Sequence, residues 1–129
     1  MSKLACTCGN IIRDQTDSLP HRASIIKDQQ EENFIQDLAQ EMNSLLIAAK
    51  AGNLEAHLDN RYGNTPWRPK AAEACYDIIG SALLNSSIMA YECQSCGKLW
   101  VQKGLNSFMP FNPESGVYEA VLSINPAPN

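Results

Sequence analysis

The chain has 129 residues, 44% hydrophobic and 19% charged, with a formal net charge of −4 and a pI near 5.0. That length fits one domain with a core of its own, and the composition excludes a disordered tail or a collagen-like polymer. The acidic balance argues against a phosphate-dominated nucleic-acid binder, and no apolar run reaches the about 18–20 residues of a membrane span.

In chain order, the first feature is Cys6-Thr7-Cys8-Gly9, flanked by Leu4-Ala5 and Ile11-Ile12. It reads as strand, tight turn, strand. Residues 13–27 hold turn formers and Pro20, which predicts an irregular arm with a short strand at 23–27. From Asp28 the hydrophobic period changes. Asp28 with Glu31 has capping-box spacing, and Phe34, Ile35, Leu38, Met42, Leu45, Leu46 and Ala49 follow as one helical stripe up to a stop at Gly52-Asn53.

Charge concentrates on this stretch. Asp28, Glu31, Glu32, Asp37, Glu41, Glu55 and Asp59 stand against Lys50 alone. Two readings compete: a solvated helix face, or a docking surface for a basic partner centred on Glu31, Glu32, Asp37 and Glu41. His57 reads as an ordinary helix-end residue. Residues 59–69 are dense in Asn, Gly and Pro and read as a loop. Trp67, between Pro66 and Pro69, is expected to pack on the core, with an exposed partner contact as the alternative. A second helix is predicted over about 70–85, with Ala71, Ala74, Cys75, Ile78, Ile79, Ala82 and Leu83 inward, Cys75 being a small core hydrophobe. Strands are expected at 87–92, 98–101 and 117–124, the last two separated by a loop. A flexible tail is expected at 125–129.

The second cysteine pair, Cys93-Gln94-Ser95-Cys96-Gly97, closes the strand at 87–92. Four thiolates at about 2.3 Å are what a tetrahedral Zn²⁺ takes, and a glycine after each pair lets the turn adopt φ > 0 so that amides face the sulfurs. A disulfide within Cys6-Thr7-Cys8 would be strained, and the start of the chain has no apolar signal segment, so a cytoplasmic, reduced location is expected. Dithiol redox chemistry would want Cys93-Gln94-Ser95-Cys96 at a helix N-terminus, whereas a strand follows it. Tetrahedral iron at the same four sulfurs is chemically possible.

The segments 3–12 and 90–101 together resemble the two halves of a zinc ribbon, a rubredoxin-like four-cysteine site. The resemblance implies Cys6, Cys8, Cys93 and Cys96 as ligands of one structural Zn²⁺. It departs from the family in its Cys-Thr-Cys turn and in the length between the pairs. The expectation is an α+β domain spanning residues 1–129. A small antiparallel sheet carries two knuckles joined by zinc, with two helices inserted between them over about 28–85. With the shell closed by protein thiolates, and no nucleophile–base pair or phosphate loop in the sequence, no enzyme is expected. The function expected is a protein-binding module, such as an immunity or antitoxin-type inhibitor of a basic partner, for instance a nuclease. The alternatives are a nucleic-acid-associated regulator using Arg13, Lys98, Trp100 and Lys103, and an iron–thiolate electron-transfer protein.

Overall fold

A computed structural model describes residues 3–63 and 67–123. Its contacts divide the chain into two compact units. One is formed by Met1–Ile25 with Ile88–Asn129, and the other by Ile26–Ser87.

The first unit is built on strands. β1 (Lys3–Ala5) and β2 (Ile11–Arg13) form an antiparallel ribbon with Leu4 opposite Ile12, as the strand–turn–strand pattern predicts. A second sheet has the order β3 (Arg22–Ile26), β4 (Ser87–Glu92), β5 (Leu99–Gly104), β6 (Ser107–Phe111). β6 is a correction, because its residues were expected in a loop. Among the described residues it pairs only with β5, so Pro110 opposite Trp100 removes a donor from an outer edge, where the sheet loses little. The strand expected at 117–124 is absent over 117–123. There the backbone amides of Val121 and Leu122 donate to the Glu92 carboxylate rather than to a neighbouring strand, at 2.8 and 2.9 Å. Ile124 and the tail at 125–129 lie outside the described residues.

Cys6, Ile12, Tyr91, Cys93 and Trp100 make the buried centre of this unit, with Leu4, Met89, Cys96 and Phe108 packed against them. The Tyr91 and Phe108 rings meet at a tilt, centroids 5.5 Å apart. The Tyr91 hydroxyl donates to Asp14, whose other oxygen holds Arg22 at 2.8 Å. Burial, then the bond to Asp14, pushes the Tyr91 hydroxyl up to about 12, so it stays a donor at any ordinary pH.

The second unit is helical. α1 (Asp28–Lys50) and α3 (Ala71–Ser86) match the predicted helices closely, but between them lies α2 (Leu54–Tyr62), so among the described residues the insertion holds three helices and not two. The Asp28 capping box is not formed. Lys27 is the N-cap, and Asp28 and Glu31 sit in the first turn, where their charge complements the helix dipole. Leu45, Leu58, Ala74 and Ile78 are the buried core, lined by Leu38, Met42, Leu54, Tyr62 and Cys75. The buried stripe is narrower than predicted, and Ile35, Leu46, Ile79 and Leu83 are exposed. Arg68 fastens the loop after α2 by pairing with Glu55 and with Asp59, the latter at 2.7 Å. Trp67 does not pack on the core, being 87% exposed.

Candidate metal centre

Each knuckle is set by local hydrogen bonds that its sequence can make. In the first, the Gly9 amide donates to the Cys6 carbonyl at 3.0 Å and the Cys6 amide to the Asn10 carbonyl at 2.9 Å. In the second, the Gly97 amide donates to Cys93 and the Cys93 amide to Lys98, both at 2.8 Å. Both turns close through a glycine with positive φ, +99° at Gly9 and +81° at Gly97, a conformation that costs a side-chain-bearing residue about 1–2 kcal/mol. Gly97 carries a second constraint. A Cβ built there would overlap the Tyr118 ring, 2.9 Å from its Cγ.

These turns bring the Sγ atoms of Cys6, Cys8, Cys93 and Cys96 within 4.8 Å of one another. Cys6 faces Cys96 and Cys8 faces Cys93, each pair 3.6 Å apart, and all four are free thiols. A disulfide needs about 2.05 Å, whereas a tetrahedron with bonds of about 2.3 Å has edges of about 3.8 Å. The cluster is therefore shaped for a tetrahedral cation. Cys75 lies in the helical unit and takes no part.

The surroundings favour thiolates unevenly. Burial works to raise the Cys93 thiol, but Asn10 Nδ2 at 3.4 Å and the amides of Cys96 and Ser95 overcome it and bring it down to about 6. At Cys6 burial is likewise outweighed, by the Cys8 amide and the Trp100 indole, and the thiol is lowered. Cys96 moves the other way, to about 12, through burial and the three neighbouring sulfurs. A cation supplies what that arrangement lacks, since it lets all four sulfurs carry charge at once. The indole nitrogen of Trp100 points to the same donor set. It is buried without a partner of good geometry, and a Cys6 thiolate gives it an acceptor.

Asn10, Glu92, Trp100 and Tyr118 form the support that sequence reasoning left out. The readable signal for Asn10 and Glu92 was only their place beside the two knuckles. Glu92, 2% exposed, holds the 117–123 segment over the second knuckle by accepting from the Tyr118 hydroxyl at 3.1 Å as well as the two amides. Those bonds outweigh its burial and lower its carboxyl pKa. Lys98 Nζ donates to Thr7 Oγ1 and so ties one knuckle to the other.

The other predicted site residues scatter. Glu31, Glu32, Asp37 and Glu41 are exposed on α1, Glu41 being paired with Arg61 at 2.7 Å. Arg13 and Lys103 are exposed on β2 and β5, whereas Trp100 is buried. No helix among the described residues is long and apolar enough to cross a membrane. Neither the curated proteins nor the solved structures contain a match to this chain. A family model does match, over residues 2–115, and the chain accordingly belongs to the family described as domain of unknown function DUF8617.

Proposed function

We propose that Cys6, Cys8, Cys93 and Cys96 hold one structural Zn²⁺ in a zinc-ribbon-like scaffold, and that the chain is a non-enzymatic protein-binding module. The observation that carries this reading is the single cluster of four thiols within 4.8 Å, because four protein sulfurs close a tetrahedral shell and leave no position for a catalytic water. Zinc bound there supplies no redox chemistry and acts as a cross-brace between the knuckles.

The partner in this reading is basic, as for an immunity or antitoxin-type inhibitor in the cytoplasm. It is supported by the exposed carboxylates of Glu31, Glu32 and Asp37 and by the outward Trp67, an aromatic side chain of the kind that anchors interfaces. The nucleic-acid reading loses support, since a buried Trp100 offers no face for a base and Lys98 is engaged by Thr7.

Native mass spectrometry with a visible spectrum tests the metal. One zinc per chain in a colourless protein is expected. A red protein with charge-transfer bands would carry iron and return the electron-transfer reading. Co-purification with a basic protein encoded beside it tests the partner, and recovery of nucleic acid instead would reject it.

A further inference from the structure

The edge of β2 that faces away from β1 is open, and its chemistry is that of a strand waiting for a neighbour. The bond from the Cys6 amide to the Asn10 carbonyl makes that residue pair a hydrogen-bonded one. By antiparallel alternation Leu4 and Ile12 bond next, so the amides and carbonyls of Ile11 and Arg13 point away from β1. The Arg13 carbonyl confirms the direction, because it accepts from His21 Nε2 at 2.8 Å. Among the described residues, nothing engages the Ile11 amide, the Ile11 carbonyl or the Arg13 amide.

A cavity of about 400 Å³ runs along this edge, with Ile11, Ile12 and Arg13 on one side and His21, Glu92 and Gln94 among the residues across it. His21 is 8% exposed, and its Nδ1 has no partner. Because its Nε2 donates to the Arg13 carbonyl, His21 caps that end of the edge, and three backbone groups remain for a partner. Glu92 is already spent on Tyr118, Val121 and Leu122, which leaves Arg13 as the cavity's free charge. One exposed cation is too little for a phosphate or nucleic-acid site, while alternating backbone donors and acceptors match a peptide.

We propose that the β2 edge takes an extended segment of a partner protein as an added antiparallel strand, with an acidic side chain opposite Arg13 and a β-branched one opposite Ile11. Both side chains stand on the exposed face of β2, whereas Ile12 is turned into the core. Cross-strand neighbours on that face set which residues the segment carries. This surface belongs to the strand unit and selects the charge opposite to that expected of a partner of the acidic helix.

The test uses the ¹⁵N-labelled, metal-loaded full chain and a capped pentapeptide, Thr-Glu-Thr-Val-Thr, whose glutamate and valine stand two positions apart and so share one face of the strand. In the free protein the Ile11 and Arg13 amides should exchange with solvent fast and the Ile12 amide slowly. Adding the peptide should shift the Ile11 and Arg13 signals and slow their exchange at least about tenfold. Ile11→Pro, which removes one edge donor, and Arg13→Glu, which reverses the charge facing the acidic side chain, should each weaken binding about tenfold while metal content stays at one per chain. Should Ile11→Pro lose metal, Arg13→Glu alone decides. Slow exchange at Ile11 and Arg13 in the free protein would mean that the edge is already covered, and would overturn the proposal. So would unchanged signals at millimolar peptide, or equal binding of a peptide with lysine in place of glutamate.

Discussion

Gly97→Ala is the sharpest perturbation of the metal centre, and Gly9→Ala is its built-in control. Both glycines have positive φ, so an alanine at either costs about 1–2 kcal/mol of backbone strain. Around Gly9 an added Cβ meets nothing within 4 Å, and the cost ends there. At Gly97 it meets the Tyr118 ring at Cγ, 2.9 Å away, and at Cβ, 3.1 Å away. Those atoms are the root of the side chain and not its mobile tip. Relief therefore requires Tyr118 to move, which gives up its bond to Glu92, worth about 1.5–3 kcal/mol for a charged acceptor. Gly97→Ala should cost about 2 kcal/mol more than Gly9→Ala, and in a Tyr118→Ala background, where the bond to Glu92 is already gone, the two glycine changes should cost about the same. Metal affinity by competition with a chromophoric chelator reads it, since each 1.4 kcal/mol is a factor of ten. Equal losses at the two glycines in the native background, or the same excess at Gly97 in the Tyr118→Ala background, would refute the reasoning.

Cys93→Ser should lose metal and most of the folded signal of the strand unit, whereas Cys75→Ala should keep full metal and lose only about 1–2 kcal/mol in urea unfolding. Metal affinity should rise with pH. A Cys93 thiol lowered from 9.0 to about 6 contributes stability that is complete above 9.0 and lost as pH falls through about 6, and a Cys96 thiol raised to about 12 must give up its proton to bind, so chelator competition at pH 6 and pH 8 should show tighter binding at pH 8. Reversing Glu31, Glu32 and Asp37 to Lys should leave thermal unfolding within about 0.5 kcal/mol and slow association with a basic partner, an effect that fades as salt rises and is read by stopped flow. Glu41 belongs outside that set because it holds Arg61. Trp67→Ala should likewise leave stability unchanged, and a loss of partner affinity in calorimetry would make it a contact.

The metal centre was legible because its chemistry is local: two short cysteine turns, each with a glycine, can fold in few ways. α1 was legible because a stripe from Phe34 to Ala49 repeats for more than four turns. α2 was hidden by its length and by Asn60 and Gly63 at its end, although Leu54, Leu58 and Tyr62 keep a spacing of four. β6 was masked by Pro110, which an outer edge tolerates. The alternation from Val117 misled in the opposite sense. Its backbone partner is a single carboxylate, Glu92, some thirty residues earlier, and sequence periodicity carries no trace of such a tertiary bond.

Cys6 and Cys8 are synthesised long before Cys93 and Cys96, and the whole helical unit is made in between. During translation the first pair can offer a metal only two sulfurs, too few to fill a tetrahedral shell. Tight metal capture thus waits for the second knuckle to leave the ribosome, and a chain broken off anywhere in the helices never reaches it. With the metal held as proposed, it would mark a chain synthesised past residue 96, and truncated products would lack that brace and be exposed to proteolysis.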